Sequence, residues 1–173
     1  LEYLREAAYQ LETTMEQVET CAKALSEQST FLELVHQYQQ RPDDSILRSQ
    51  ITLLLGQSAW PCQNISGMYL ITDSASEILT SIPENKSLPV ARGQGLLLLK
   101  FYQEQNQGQA TWSMRPGVGL NGNEIIYWRP LYTAGGEPLG ILACQMETSY
   151  FTEALSVLCN QEDTISAITS YSG

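Results

Sequence analysis

Residues 121–150, NGNEIIYWRPLYTAGGEPLGILACQMETSY, decide the fold. Two runs typical of β-strands, EIIYWRPLYT and LGILACQME, are joined by the turn-forming segment AGGEP, which predicts an antiparallel hairpin. Alternation along the first run places one set of side chains on one face of the strand and a second set on the other. The first set is Ile125, Tyr127, Arg129 and Leu131, and the second is Ile126, Trp128 and Tyr132. Both faces carry large apolar groups, so we expect both to be covered.

The surrounding sequence extends this hairpin into a larger sheet. Upstream, QATWSMRP alternates and is followed by the turn GVGLNGN, which completes a three-stranded meander. Farther upstream, a strand over 65–72, the turn DSAS and a short strand over 77–81 form a second hairpin. Between the two groups we expect a loop and a short helix around 95–105. A helix over TSYFTEALSVLCN and a candidate last strand in QEDTISAITSYSG follow the meander.

The N-terminal third is helical. Apolar residues recur at alternating spacings of three and four from Leu1 through Leu11, Val18 and Leu25 to Leu32, which indicates one apolar stripe. A helix to about residue 39 would be roughly 58 Å long, longer than a domain of this size requires. We therefore expect its later turns to pack on the sheet and its earlier turns to pair with a second chain.

A second helix is predicted after QQRPDDS. Asp43, Asp44 or Ser45 can cap its start, and Gly56 is the expected stop. The predicted organisation is helical over 1–59, a sheet domain over 60–158, and a tail over 159–173 that adds a strand or begins another domain. The chain begins and ends within patterned sequence, so we expect it to be a piece of a longer protein.

Composition excludes several classes of function. The chain has 173 residues and a formal net charge of −10 with nine Lys and Arg, which argues against nucleic acid because phosphate binding requires clustered basic residues. Its longest apolar run, GLLLLKF, is too short to span a bilayer. The lone His36 has no nucleophile near it in a recognisable motif, so we predict no catalytic residues and no cofactor.

The four cysteines leave two interpretations open. Cys21, Cys62, Cys144 and Cys159 show no short metal-binding spacing, so no metal site is predicted. Apolar neighbours favour four buried small side chains, and a disulfide is the alternative if the domain is exported.

The order of elements resembles a known family. The long first helix, ISGMYLITD, TWS and IIYWRPLYTAGGEPLGILACQME are similar to Cache domains, the extracellular PAS-like sensors of bacterial receptors, and to the ectodomains of YesM-like sensor histidine kinases. The resemblance implies an α+β fold, with a five-stranded antiparallel sheet flanked by a long N-terminal helix and a C-terminal helix. It also implies a domain outside the cell, anchored in the membrane through its parent chain, that is not itself an enzyme.

The resemblance also concerns ligand binding. In such receptors a small molecule binds the sheet face beneath the helical crossover, and the terminal helices carry the signal to a cytoplasmic kinase. Amino-acid-binding members use Arg, Trp, Tyr and Asp side chains. Trp112 matches the family's Trp and Arg92 is a loose match for its Arg, whereas the Asp has no equivalent that we can identify.

Strand alternation and this resemblance together predict a pocket for a small polar or anionic ligand. A buried arginine needs an anionic partner or several acceptors, and an aromatic pocket that holds one is suited to a carboxylate. The alternative is that these aromatic residues are core and that Arg129 pairs with Glu124, Glu137 or another carboxylate. A second functional hypothesis is a structural or dimerisation module of a kinase or chemoreceptor, with no ligand of its own. The predicted ligand-binding residues are Trp112, Tyr127, Arg129 and Tyr102, with Arg92 and Asp73 as outer members.

Overall fold

The computed structural model describes residues 2–72, 78–81, 108–116 and 123–147. Within these ranges the chain forms helices first and strands afterwards. The helices are α1 (Glu2–Ser26), α2 (Ser29–Gln40) and α3 (Ser45–Ala59), and the strands are β1 (Ile65–Ile71), β2 (Leu79–Thr80), β3 (Thr111–Pro116), β4 (Asn123–Tyr132) and β5 (Pro138–Met146).

The five strands form one sheet in the order β2-β1-β5-β4-β3, and every pairing is antiparallel. Within the described ranges, the first and last strands, β1 and β5, are neighbours at the centre of the sheet, from Ile65 opposite Met146 to Ile71 opposite Ile141. The predicted α+β fold with a five-stranded antiparallel sheet is therefore confirmed. The predicted DSAS turn, the short helix around 95–105, the C-terminal helix and the tail lie outside the described residues.

The two faces of the sheet carry separate apolar layers. On the first, which we call the helix face, alternate residues of β1, β4 and β5 pack against all three helices. The opposite face, which we call the second face, carries a smaller buried layer. The helix face includes Met68, Leu70, Tyr127, Leu131, Leu142 and Cys144, and the second face includes Ile71, Ile126, Trp128, Ile141 and Ala143. Both faces are covered, as strand alternation predicted.

The helix predicted to continue to about residue 39 is interrupted at Glu27 and Gln28. Gln28 has an extended backbone (φ −76°, ψ 113°). The helix α2 starts after it, and its buried residues do not continue the predicted apolar stripe. Leu32, which belongs to the predicted stripe, is only partly buried, whereas Phe31 and Val35 are fully buried. The interruption has a physical basis in the polar segment SEQS, because serine side chains compete for backbone hydrogen bonds. The Ser26 hydroxyl donates to the Lys23 carbonyl at 2.8 Å.

The helix α3 begins as predicted and ends later than predicted. The Asp44 side chain accepts hydrogen bonds from the backbone N–H groups of Ile46 and Leu47, at 3.0 and 3.2 Å. Gly56 does not stop the helix, which continues to Ala59. The helix ends two residues before Pro61, which has no N–H group with which to continue the helical hydrogen bonds.

Candidate functional site

Arg129 projects from β4 to the C-terminal end of α1. Its Nε donates to the Ser26 Oγ at 2.6 Å, and its Nη2 lies 3.5 Å from the Glu27 carboxylate. The arginine side chain is 23% exposed and that of Glu27 is 58% exposed. The anionic partner that the sequence predicted for this arginine is thus available within the chain, on the helix that covers the sheet.

Trp112 and Tyr127 also point toward α1. They are cross-strand partners on β3 and β4, and their ring centroids are 5.1 Å apart with the planes tilted by 43°. The indole N–H of Trp112 donates to the Glu19 carboxylate at 2.6 Å. Both aromatic residues belong to the apolar layer of the helix face.

The structure therefore brings together three of the six predicted site residues, Trp112, Tyr127 and Arg129, on the helix face. Tyr102, Arg92 and Asp73 lie outside the described residues. A ligand-binding role for all six stays a prediction. Trp112 and Arg129 each donate to a residue of α1, and Tyr127 packs against Trp112, so Trp112 and Arg129 connect the sheet to this helix.

The second face carries a row of residues that crosses all five strands. The register aligns Thr80, Tyr69, Ala143, Trp128 and Thr111, one from each strand in the order β2-β1-β5-β4-β3. Ala143 thus lies between two aromatic residues. Because an alanine methyl rises much less above the sheet than an aromatic ring, the side chains of this row form a depression at Ala143, between the rings of Tyr69 and Trp128.

Polar side chains lie beside this row. The Tyr69 hydroxyl donates to the Gln145 Oε1 at 3.0 Å, and the Trp128 indole N–H donates to the Ser113 Oγ at 2.5 Å. Trp128 is only 1% exposed. The second face thus combines buried apolar surface with a few placed polar groups, which is the usual composition of a small-molecule site.

Sequence reasoning did not select Tyr69, Ala143 or Gln145 for a site. The available signal was alternation, which placed Trp128 on the strand face opposite Tyr127 and Arg129. The pairing of Tyr69 with Ala143 joins strands that are more than seventy positions apart. Only the register of β1 on β5 brings these residues together, and a single sequence does not supply it.

A groove of about 350 Å³ lies away from both apolar layers, between the first half of α1 and the segment before β1. The residues that line it have polar side chains, most of them with a hydroxyl or an amide group: Tyr9, Gln10, Thr13, Thr14, Gln17, Gln63, Asn64 and Glu147. Among the described residues, no group of three or more His, Cys, Asp or Glu side chains is arranged to hold a metal ion. No helix in these ranges has both the length and the apolar character needed to cross a bilayer.

The fold is shared with sensory domains of known structure. The sensor domain of the V. cholerae histidine kinase DctB has a TM-score of 0.68 and 16% identity, over 88% of this chain and 56% of that one. The ligand-binding domain of the P. aeruginosa PAO1 amino-acid chemoreceptor PctC, in complex with GABA, has a TM-score of 0.55 and 19% identity, over 86% and 62%. A domain of a putative sensory box/GGDEF family protein from Vibrio parahaemolyticus has a TM-score of 0.57 and 11% identity, over 89% and 61%.

These likenesses establish the class of fold. The chain shares the α+β fold of these sensory domains, and the PAS-like fold that the sequence resemblance implied is confirmed at the level of the fold alone. The chain spans between 56% and 62% of the length of these three structures. No protein-family model matches the sequence, and no curated protein is significantly similar to it.

Proposed function

We propose that this chain is the extracellular ligand-sensing domain of a bacterial transmembrane receptor, and that the receptor is a sensor histidine kinase. The domain itself is not an enzyme in this proposal, and its parent chain supplies both the membrane anchor and the kinase. The observation that carries the proposal is the sheet with two buried faces. Helices occupy one of them, and the other buries a tryptophan among hydrogen-bonded polar groups. The sensor domains with similar folds support it.

The proposed ligand site is on the second face, above Ala143 and between Tyr69 and Trp128. The two rings would enclose a small planar or aliphatic ligand, and the Tyr69 hydroxyl and Gln145 amide would bind its polar group. These described groups are neutral, which favours a small polar molecule. Recognition of an anion would require a cation, and Arg92 is the predicted candidate for that role.

The proposed route for the signal runs from this face to α1. A ligand between Tyr69 and Trp128 contacts β1 and β4, and β4 also carries Arg129, which is bound to Ser26 of α1. A receptor can signal only if its ligand has different affinities for two states. We infer that the two states differ in how β3 and β4 sit against α1, with the contacts of Trp112 and Arg129 transmitting the difference.

A structural or dimerisation module without a ligand is the second candidate. One observation favours it: the apolar stripe of α1 continues beyond the buried Val18 to Leu11 and Met15, which are only partly buried. A second copy of this helix could cover them, as the predicted homodimer requires. This candidate predicts concentration-dependent association and no stabilisation by small molecules.

Thermal-shift screening separates the two candidates. The panel consists of the proteinogenic amino acids, GABA, short mono- and dicarboxylates and monosaccharides. Since a ligand stabilises the folded state by RT ln(1 + [L]/Kd), a compound present at about 100 times its Kd contributes about 2.7 kcal/mol, a readily measured rise in Tm. No rise with any compound, combined with dimerisation in sedimentation experiments, would favour the module without a ligand.

Matched tyrosine variants locate the site for any compound that raises Tm. Tyr69→Phe keeps the ring and removes the hydroxyl that donates to Gln145, so it should weaken binding by about fivefold to tenfold through the loss of one hydrogen-bonding group. Tyr9→Phe is the control, because Tyr9 is 69% exposed on α1 and lines the groove instead. If Tyr9→Phe weakens ligand binding and Tyr69→Phe does not, the ligand binds in the groove and not on the second face.

A further inference from the structure

Three cysteine side chains converge where α1 crosses the centre of the sheet. Cys21 lies on α1, Cys62 in the segment that connects α3 to β1, and Cys144 on β5. All three contribute to one apolar layer, in which Cys62 is 7% exposed and Cys144 is fully buried. Cys21 is partly buried and is therefore the most accessible of the three.

Two contacts hold the segment that contains Cys62 along α1. The Cys62 side chain is a neighbour of the Cys21 thiol and contributes to the raised pKa of that thiol. One helical turn before Cys21, the Gln17 side chain accepts a hydrogen bond from the Asn64 side chain. Residues four apart on a helix lie on the same face, so both contacts align the segment 62–64 with one side of α1. The Cys62 carbonyl also accepts from the Ile65 N–H at 3.0 Å, which fixes the turn into β1.

We propose that Cys21 and Cys62 form a disulfide that fastens α1 to the start of β1. The oxidant is a small-molecule or protein disulfide. The Cys21 sulfur attacks this disulfide, forms a mixed disulfide with one half of it and releases the other half as a thiol. The Cys62 sulfur then attacks the Cys21 sulfur of the mixed disulfide and releases the remaining half as the second thiol. The two cysteines lose two protons and two electrons, and the oxidant gains them as two thiols. The oxidising compartment that preserves such a bond rests on the proposed extracellular location.

The raised pKa of the Cys21 thiol should slow formation of this bond in the folded domain. Burial, followed by the hydrogen bond with Cys62, raises the pKa of the Cys21 thiol from 9.0 to about 11. Since the thiolate is the attacking species, the folded, reduced domain should react slowly with disulfides near neutral pH. Oxidation is therefore expected to be fast during folding, before this packing is complete.

Cys144 is the neighbour that must be excluded as a partner. It is fully buried on β5, and burial raises the pKa of its thiol further than that of Cys21. An oxidant has no direct access to it in the folded domain. The described thiols also do not meet the requirements of a metal site. Cys21 and Cys62 are thus the pair that the Gln17–Asn64 contact and the turn into β1 hold side by side, and Cys144 is the alternative partner that peptide mapping must exclude.

Peptide mapping of the refolded wild-type chain tests the proposal. The chain is unfolded with urea under reducing conditions, refolded with oxidised glutathione, acidified, alkylated and digested for mass spectrometry. The expected product is a peptide pair joined through Cys21 and Cys62, lighter by two hydrogens than the two free peptides. Cys21→Ala and Cys62→Ala should abolish it, whereas Cys144→Ala and Cys159→Ala should retain it.

The oxidised chain should also be more stable than the reduced chain. The bond closes a loop of about forty residues, for which the chain-entropy model predicts a Tm rise of about 8–16 °C in a chain of this size. The absence of a crosslink, a crosslink through Cys144 or Cys159, or one between chains would overturn the proposal. The readout needs no ligand, so a domain that forms this bond without binding any compound would disprove the proposed sensing function alone.

Discussion

The Arg129 Nε and the Ser26 Oγ are 2.6 Å apart, which joins the central part of the sheet to the last residue of α1. Glu27 is farther from the guanidinium, at 3.5 Å, and more exposed. The two contacts differ in the free energy that they are expected to contribute. A short hydrogen bond from a charged, largely buried donor is worth more than an exposed ion pair.

We predict unequal coupling energies in two double-mutant cycles. The cycle of Arg129→Met with Ser26→Ala should give a coupling of about 1–2 kcal/mol in the free energy of unfolding. The cycle of Arg129→Met with Glu27→Gln should give less than about 0.5 kcal/mol. Urea denaturation measures both, and the cycle removes the change in helix propensity that Ser26→Ala introduces. Equal couplings, or a larger coupling with Glu27, would contradict this ranking of the two contacts.

The stability that the contact between Trp112 and Glu19 contributes should depend on a hydrogen-bond acceptor at position 19 and not on a negative charge there. Glu19→Ala removes the acceptor of the indole N–H and should cost about 1 kcal/mol of stability. Glu19→Gln keeps an oxygen acceptor and should stay within about 0.5 kcal/mol of the wild type. Glu12→Ala, an exposed position on the same helix, is the control. The interpretation fails if Glu19→Ala is no more destabilising than this control.

Three glycines should respond differently to alanine. Gly140 has φ +138°, and a Cβ there would lie 2.4 Å from the Ile71 carbonyl oxygen, so Gly140→Ala should cost more than about 2 kcal/mol. Gly136 has φ +83° and open space around it, so its variant should cost about 1 kcal/mol. Gly56→Ala should stabilise the chain by about 0.5–1 kcal/mol, since α3 continues through this position. Thermal unfolding of the three variants gives the order directly.

The start of α3 provides a test of local structure. Asp44→Ala removes the acceptor of two backbone N–H groups and should cost about 1 kcal/mol. Asp44→Asn retains a capping oxygen and should cost much less. The ion pair with the mostly exposed Arg41 contributes little, so Arg41→Ala should be nearly neutral. A large effect of Arg41→Ala would show that charge, and not capping, determines this helix start.

Much of the architecture was accessible from local patterns. Alternation and the Gly-Gly turn predicted β4, β5 and their hairpin, and the structure confirms this with positive φ at Gly136. The interruption after Ser26 was not predicted because the sequence there contains no glycine or proline. Its serines have only a weak local preference, and the final geometry depends on how both helices pack on the sheet.

The site was less accessible than the fold because it depends on contacts between distant residues. Arg129 was expected to need an anionic partner, either a ligand or a carboxylate of the chain such as that of Glu124 or Glu137. The carboxylate beside it belongs to Glu27, which is 102 positions away. Similarly, alternation placed Trp128 correctly on the second face. It could not show that Ala143 separates Trp128 from Tyr69, because that requires the register of three strands.

Tryptophan fluorescence tests the central claim most directly. The three tryptophans lie at different places: Trp128 on the second face, Trp112 on the helix face, and Trp60 on the surface, where it is 88% exposed. Single-tryptophan chains, made by Phe substitution of the other two, are titrated with the compound that gives the largest thermal shift. We predict that the emission of Trp128 changes most, with the same midpoint as the thermal stabilisation. A response confined to Trp112 or Trp60, or no compound that binds at all, would contradict a sensor site on the second face.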